Sequence, residues 1–528
     1  MKRTAMSREG QSRRMTSLRR HLPLVILLAA GLGLRIAYLV AYRPAFWFHG
    51  DSGEYLLMLQ QPLEPHPNRP IGYVLLLSAL QQTRTLAAVA AMQHLLSLLL
   101  AVGLYALLRR RGVVRWLATL AAVPLIFDSL VLTMGHYLLP DLMFMVLFAA
   151  SVGALLWSPR PGPVAAVVSG GLIAVAWVTK PTALPVALLL AGYLVVRRVG
   201  WRPVLGYLLA FGVPYVMVMV WIGDRQSVYS AQSGTALYGR AAMIADCDRI
   251  ELTDEERIAC PDQPPDQRWD RADAFFWRRP ARLGDWVYTP EGARVLTSFS
   301  RSVISQQPGD YLATVGRESA AHFVPGLYLG PMNECLRQRL VPPVRFRSAD
   351  VRVEQNCPPA QASIGFQAAV AEPVVADPAT PLTRALHQYG GWTRGIPVVM
   401  SLAVLLTVAA LAAGRRVAGW IRFDTVLLVV AGPGLAVFTV AIGMYEPRYA
   451  LPALPLAAAA AALAAQGLIH RDAPARPEPL GPHGPVGPQG TVESAETVGS
   501  ATRDTDGAAG RPAGRADSGD APRPADPA

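Results

Sequence analysis

Charged residues are scarce in this chain of 528 residues, since Asp, Glu, Lys and Arg together make up only 16% of it. A soluble domain usually carries about 25% charged residues, so the composition argues against a soluble globular protein. The sequence also contains no Walker A motif, no HExxH and no CxxC. These absences argue against a P-loop ATPase, a zinc protease of the HExxH type and a thioredoxin-like protein.

Hydrophobic residues are abundant instead, at 52% of the chain. They gather in runs of about 18 residues or more, which is the length that crosses a bilayer. We therefore expect an all-α polytopic membrane protein with about ten transmembrane helices. The predicted spans are 22–42, 86–108, 114–133, 141–157, 163–179, 182–197, 203–222, 396–413, 424–444 and 449–469.

Basic residues cluster between these spans, and the positive-inside rule assigns such clusters to the cytoplasm. With ten spans, every cluster falls on the same side as the basic N-terminus. Both termini are then cytoplasmic, in a multi-pass protein of the cell membrane. The clustered residues are 109–111 with 115, 160, 197–198 with 202, and 415–416 with 422. This topology accounts for most of the formal net charge of +12, so we expect no nucleic-acid partner.

A long polar segment, 223–395, separates predicted helices seven and eight and is large enough to fold as an extracytoplasmic domain, α-rich or mixed. The last segment is rich in Pro, Gly and Ala and has no aromatic residue, so it cannot bury a core. The predicted parts are a basic cytoplasmic N-terminus (1–21), a transmembrane module with the candidate catalytic residues (22–222) and a first outer loop (43–85), the extracytoplasmic domain (223–395), C-terminal transmembrane helices (396–470) and a disordered cytoplasmic tail (471–528).

Cysteine is rare, and all four cysteines lie in the predicted extracytoplasmic domain: Cys247, Cys260, Cys335 and Cys357. An even number confined to the outer side predicts disulfides formed in an oxidising compartment. Pairing between sequence neighbours gives Cys247–Cys260 and Cys335–Cys357, which is one of three connectivities. Four unpaired thiols are the alternative.

Carboxylates stand close to the predicted outer surface of the membrane, at Asp51 and Glu54 after the first helix and at Asp141 before the fourth. Asp51 and Glu54 share one face if their stretch is helical. Such groups can act as a general base and as ligands for a metal ion or a substrate. The alternative is structural, because acidic residues also cap and stabilise helix N-termini.

Three cations lie at the same predicted surface, and each adjoins a proline: Arg69, Lys180 and Arg448. A guanidinium at this depth suits the phosphate of a lipid, because it presents several N–H donors to the phosphate oxygens. An ionisable residue close to a span is a functional hypothesis by default. The alternative is a snorkelling side chain with no partner of its own.

The order and common side of these short motifs resemble the C-type superfamily of integral-membrane glycosyltransferases, in particular its aminoarabinose and protein-mannosyl branches. The resemblance covers residues 20–222 and 396–469 and leaves 223–395 uncovered. The motifs are Asp-Ser-Gly-Glu-Tyr at 51–55, Arg-Pro-Ile-Gly-Tyr at 69–73, Pro-Asp-Leu-Met-Phe at 140–144, Lys-Pro-Thr at 180–182 and Arg-Tyr-Ala-Leu-Pro at 448–452.

The resemblance implies an enzyme that moves a hexose or pentose from a polyprenyl-phosphate donor to an extracytoplasmic acceptor, which is a cell-envelope glycan, a lipid or a protein. A divalent cation, Mg²⁺ or Mn²⁺, would suit the oxygen ligands of such a site. The implied roles are general base for Asp51, donor-phosphate binding for Arg69, Lys180 and Arg448, and acceptor or metal binding for Glu54 and Asp141.

A polytopic transporter or lipid flippase is the alternative from another class, since ten spans with charges near them also fit it. A transporter predicts an inverted repeat with interrupted helices in both halves, and the sequence shows none. A third hypothesis is a non-catalytic membrane scaffold, which predicts that Asp51 tolerates replacement.

Overall fold

The computed structural model describes residues 2–225, 227–229, 234–277, 279–347, 376–377 and 379–469. The predicted cytoplasmic tail, 471–528, and Cys357 lie outside these residues. Helices dominate the described part of the chain, as the apolar runs predict. The segment 223–395, which contains the four cysteines, is called the insertion.

The first half of the chain is a series of helices joined mostly by short turns. Two short 3₁₀ segments, Gln81–Thr83 and Pro181–Ala183, interrupt it. The helices are α1 (Lys2–Ala41), α2 (His49–Gln60), α3 (Gly72–Leu80), α4 (Leu86–Arg110), α5 (Arg115–Phe127), α6 (Ser129–His136), α7 (Asp141–Leu156), α8 (Pro163–Thr179), α9 (Leu184–Val196) and α10 (Trp201–Ile222).

The insertion contains shorter helices, and two-residue strands pair antiparallel in it, with Phe346 opposite Asp377. Its elements are α11 (Gly234–Ile244), α12 (Asp254–Arg257), α13 (Ala272–Trp277), α14 (Pro290–Gln306), α15 (Pro308–Ala320), α16 (Pro331–Arg339), β1 (Phe346–Arg347), β2 (Ala376–Asp377) and α17 (Pro381–Trp392), with 3₁₀ segments Pro265–Gln267 and Gly284–Tyr288. The chain then continues through α18 (Ile396–Ala412), α19 (Gly419–Ala431), α20 (Pro433–Ile442) and α21 (Leu454–Ile469), with 3₁₀ segments Gly414–Arg416 and Pro447–Ala453.

Within the described residues, six helical stretches are long and apolar enough to cross a membrane, so the chain is a multi-pass membrane protein. The number rises to seven if α5 and α6, which meet at a bend of 45°, form one span. The six are His21–Ala41, Leu86–Arg110, Trp201–Ile222, Pro381–Ala412, Gly419–Ile442 and Pro447–Ile469. Every predicted span is helical, but three of them, around α7, α8 and α9, are shorter than this test requires. The count of about ten therefore stays a prediction.

The bend between α5 and α6 is held by polar side chains that occupy the broken helix ends. Asp128 caps α6 by accepting a hydrogen bond from the backbone N–H of Leu130 at 2.8 Å. The last carbonyl groups of α5 lose their helical hydrogen-bond donors at the break. The buried side chain of Arg35 replaces them, because it donates to the carbonyl oxygens of Leu125 and Ile126 at 3.0 and 2.8 Å. Arg35 is therefore a structural residue that joins α1 to the broken span.

Several of the predicted basic clusters meet at one end of the helix bundle. Arg111, at the end of α4, forms a buried ion pair with Asp424 of α19, whose carboxylate also accepts from Tyr193 of α9 at 3.3 Å. Arg197 lies over the ring of Phe423 at 5.6 Å. The clusters at 109–111 and 197–198 thus meet beside residues 423–424 at one end of the bundle. The assignment of that end to the cytoplasm stays a prediction.

The insertion has a hydrophobic core of its own, built by α11, α13 and α14. Phe275, Phe276 and Phe299 are buried in it, and a disulfide joins Cys247 to Cys260. Cys335 is also disulfide-bonded. The predicted pairing of Cys247 with Cys260 is therefore present, and the insertion folds around a core of its own.

Replacing Arg35 by Met should destabilise the fold, because two buried carbonyl groups would lose their donors. We expect a loss of about 2 to 5 kcal/mol, in the range for a buried charged group that is removed from its partners. Thermal unfolding in detergent measures this loss, with the exposed Arg160 replaced by Met as the control. An Arg35→Met protein as stable as the control would contradict the structural role.

Candidate active site

Asp51 lies in the first turn of α2, directly after the loop that leaves α1. This position favours a carboxylate, because the N-terminal end of a helix carries a partial positive charge. The start of α2 is fixed by Ser52, which accepts from the N–H of Phe48 at 2.8 Å and donates to the carbonyl of Leu138 at 3.0 Å. The loop before α2 is thereby tied to the turn that leads into α7.

Arg69 is presented by the loop between α2 and α3, and that loop is organised by His66. The Nδ1 atom of His66 accepts hydrogen bonds from the backbone N–H groups of Asn68 and Arg69, at 3.2 and 3.0 Å. Burial lowers the pKa of His66 to about 4, with Arg69 acting in the same direction. The ring is therefore neutral near pH 7, which is the form that can accept at Nδ1.

Three charged residues at this end of the bundle directly precede a proline: Arg69, Lys180 and Glu446. A residue before proline is driven into extended backbone and leaves the helix. Lys180 ends α8 with φ −149° and ψ 118°, and Glu446 has φ −146° and ψ 121° before the 3₁₀ segment. The proline after Lys180 therefore ends α8 at the point where the lysine can reach Asp141. The proline after Glu446 keeps that residue in extended backbone beside Arg448.

Asp51 is bridged by two guanidinium groups that come from distant parts of the chain. Its Oδ1 atom accepts from Nη2 of Arg69 at 2.7 Å, and its Oδ2 atom accepts from Nη2 of Arg448 at 2.9 Å. Glu54, one turn further along α2, lies 2.5 Å from Nε of Arg69, although that contact lacks hydrogen-bond geometry. The spacing of Asp51 and Glu54 thus places both carboxylates against one guanidinium.

Asp141 and Lys180 form the second ion pair of the site. Nζ of Lys180 donates to Oδ1 of Asp141 at 2.6 Å, while Oδ2 of Asp141 lies 3.7 Å from Nη1 of Arg448. The ring of Tyr449 flanks the ammonium group at 5.1 Å, and the ring of Phe48 lies 4.2 Å from the guanidinium of Arg448. Arg448 therefore stands between the two aspartates, with an aromatic face against it.

All six charged residues that the motifs predict, three carboxylates and three cations, thus meet in one cluster. Exposure separates the carboxylates, since the side chains of Asp51 and Glu54 are 25% and 29% exposed while that of Asp141 is fully buried. Burial raises the pKa of Glu54, and the charge of Arg69 opposes this effect. An incoming molecule can therefore reach Asp51 and Glu54, whereas the buried Asp141 contacts Lys180 and Arg448.

Two further charged residues complete the cluster and were not predicted as site residues. Oε1 of the buried Glu446 lies 3.3 Å from Nε of Arg448, again without hydrogen-bond geometry, and its Oε2 accepts from Nη2 of Arg271 at 3.1 Å. Glu446 lies two residues before Arg448, so an acidic residue beside that motif could have been recognised as a candidate site residue. Arg271 belongs to the insertion, where no motif pointed to it.

A metal site is not formed by these residues as they are placed. No group of three or more His, Cys, Asp or Glu side chains within the described residues is arranged to hold a metal ion. Both carboxylate oxygens of Asp51 are already paired with guanidinium groups. We therefore assign no step to a metal, and a divalent cation stays a proposal.

Residues 77–200 match the sequence profile of the family described as dolichyl-phosphate-mannose-protein mannosyltransferase. The predicted resemblance is confirmed. The matched range contains Asp141 and Lys180, whereas Asp51, Arg69 and Arg448 lie outside it. The match supports a membrane glycosyltransferase that uses a polyprenyl-phosphate sugar, and it does not favour the transporter or flippase.

Among solved structures, the crystal structure of ArnT from Cupriavidus metallidurans in the apo state aligns with 84% of this chain and 77% of its own, at 14% identity and a TM-score of 0.30. This likeness is too low to add to the family match. No curated protein matches the chain significantly.

Replacing Lys180 by Met should destabilise the protein, because the buried carboxylate of Asp141 would keep only the distant guanidinium of Arg448. Breaking a buried ion pair costs about 3 to 5 kcal/mol. A second replacement, Asp141→Asn, removes the stranded charge and should recover most of that loss. Thermal unfolding of the single and double variants measures both effects, and a Lys180→Met protein with wild-type stability would contradict the buried pair.

Proposed function

We propose that the chain transfers a hexosyl or pentosyl group from a polyprenyl-phosphate sugar to an acceptor on the outer side of the plasma membrane, with Asp51 as the general base. The proposal rests on one partly exposed carboxylate that two guanidinium groups bridge, while Lys180 pairs with Asp141 next to one of them. Such a site offers a proton acceptor in direct contact with cations that can bind a phosphate. Both termini are then cytoplasmic.

Each charged side chain of the site has a role in the proposed transfer. An acceptor hydroxyl group attacks the anomeric carbon of the donor sugar, and its proton passes to a carboxylate oxygen of Asp51. The bond between that carbon and the donor phosphate breaks, so polyprenyl phosphate leaves with the bonding electrons. Arg69, Arg448 and Lys180 stabilise the negative charge that grows on the leaving phosphate, and Glu54 orients the acceptor.

Donor binding and activation of the base are coupled in this arrangement. The two guanidinium groups that would bind the phosphate are the same groups that donate hydrogen bonds to the two oxygens of Asp51. A carboxylate with both oxygens bound to cations is a poor proton acceptor, because the bound cations favour its ionised form. A donor phosphate that draws Arg69 and Arg448 toward itself would release Asp51, so we propose that the donor binds before the acceptor.

The matching family suggests which sugar and which acceptor to test first. The description of the matching family names mannose as the sugar and protein as the acceptor. Mannosyl polyprenyl phosphate is therefore the first donor to test, followed by glucose, galactose and arabinofuranose. Envelope glycan, lipid and protein fractions are the acceptors, and each is supplied with and without Mg²⁺ or Mn²⁺.

Release of polyprenyl phosphate by the purified protein in nanodiscs tests the reaction. We expect release with one sugar of the panel, and a fall of about 100-fold or more in Asp51→Asn, since a general base contributes that much. Asp285→Asn is the matched control, because the side chain of Asp285 is 98% exposed in the insertion. Equal release by the wild type and Asp51→Asn would show that Asp51 is not the base.

Binding of polyprenyl phosphate separates a lost base from a damaged site. Asp51→Asn frees the two guanidinium groups, so it should bind polyprenyl phosphate at least as tightly as the wild type. Arg69→Gln should bind it more weakly, because a charge-assisted contact to the phosphate is lost. Isothermal titration or native mass spectrometry in detergent measures the two affinities, and weaker binding by Asp51→Asn would contradict the competition between carboxylate and phosphate.

A further inference from the structure

Arg271 is a charged residue of the insertion that contacts the candidate active site. It directly precedes α13, and its side chain is only 7% exposed. Asp273 holds it with two contacts, from Nε at 2.9 Å and from Nη2 at 3.2 Å, and Asn333 of α16 accepts from Nη1 at 3.3 Å. The guanidinium is therefore fixed by the fold of the insertion before it meets the membrane part.

The Nη2 atom that contacts Asp273 also reaches the turn that carries Glu446, where it lies 3.4 Å from Sδ of Met444. Nη2 of Arg271 donates to Oε2 of Glu446 at 3.1 Å, while the other oxygen of Glu446 faces Nε of Arg448 at 3.3 Å. Arg448 in turn donates to Asp51. An uninterrupted series of charges thus runs from the insertion to the proposed base, alternating in sign at every step.

The turn that carries Glu446 is held by the insertion at a second point. The backbone N–H of Tyr445 donates to Oε2 of Glu318 at 2.9 Å, and Glu318 forms two hydrogen bonds with the buried Arg240, at 2.8 and 2.6 Å. Burial raises the pKa of Glu446, Arg448 and Arg271 oppose this effect, and the nearby Asp273 adds to it. A carboxylate buried this deeply stays ionised only while its cations remain in place.

We propose that Arg271 is a positioning residue, which through Glu446 fixes the guanidinium of Arg448 against Asp51, so that the insertion sets the geometry of the active site. This inference rests on the proposed function for its effect on turnover. Arg271 itself contacts no reacting atom. Its influence passes through Glu446, and that route distinguishes it from an arginine that only stabilises the insertion.

A double-mutant cycle tests the route. Arg271→Gln and Glu446→Gln should each lower kcat for release of polyprenyl phosphate by about tenfold or more, since a small displacement of a catalytic group has effects of this size. The double variant should be no slower than Glu446→Gln alone, because both changes act on one route. Arg271→Lys should retain more activity than Arg271→Gln. The control is Arg294→Gln, which removes an exposed ion pair on the same insertion and should leave kcat unchanged.

The pH profile gives a second readout. In Arg271→Gln, Glu446 faces one guanidinium instead of two, so its raised pKa rises further. The carboxylate is then lost at a higher pH as the solution is acidified, and the acid limb of kcat should move to higher pH than in the wild type. Additive effects in the double variant, or an Arg271→Gln protein with wild-type kcat and pH profile, would overturn the proposal.

Hydrogen exchange measures how firmly the turn that carries Glu446 is held, and it does not depend on turnover. Amides of residues 443–453 should exchange faster in Arg271→Gln than in the wild type, and Arg294→Gln should leave them unchanged. If the wild type transfers no sugar, the proposed function fails, while faster exchange in Arg271→Gln still supports the positioning of this turn. Unchanged exchange at 443–453 would overturn the positioning role whatever the protein catalyses.

Discussion

The candidate active site depends on one buried guanidinium, that of Arg448. It contacts Asp51, which lies 397 residues earlier in the chain, and it stands within 3.7 Å of Asp141 and 3.3 Å of Glu446. Taking such a charge out of water is costly, so it persists only where carboxylates surround it. The helices that supply those carboxylates must therefore converge on this point, and the remainder of the site follows from that requirement.

Helix breaks rather than helix interiors supply the reactive side chains. Lys180 leaves α8 because a proline follows it, and Glu446 lies in the extended turn between α20 and the 3₁₀ segment that follows it. Asp51 and Asp141 occupy the first turns of their helices. Charges at helix ends lie where the bundle meets polar surroundings, whereas the apolar faces between these ends remain in the membrane. Arg35 differs, because it lies in the interior of α1 and donates to the carbonyl groups at the broken end of α5, where its role is structural.

The sequence predicted the membrane fold and the cluster of charges because both leave local traces, namely long apolar runs and charged residues beside proline. It located Asp51, Arg69, Asp141, Lys180 and Arg448, which the structure brings together. It could not predict Arg271, because no motif marks an arginine whose partner, Glu446, is far away in the chain. Nor could the number of spans be read from apolar length alone, since α7 and α8 are shorter than a full crossing and the span of α5 and α6 is bent.

In the proposed reaction, Arg69 and Arg448 exchange the carboxylate of Asp51 for the phosphate of the donor. An electron cryo-microscopy structure of the protein with polyprenyl phosphate bound in nanodiscs would show this exchange. We expect a phosphate in contact with both guanidinium groups and with Lys180, and at least one oxygen of Asp51 released from its arginine. A phosphate bound elsewhere, with both Asp51 ion pairs intact, would show that the exchange does not occur.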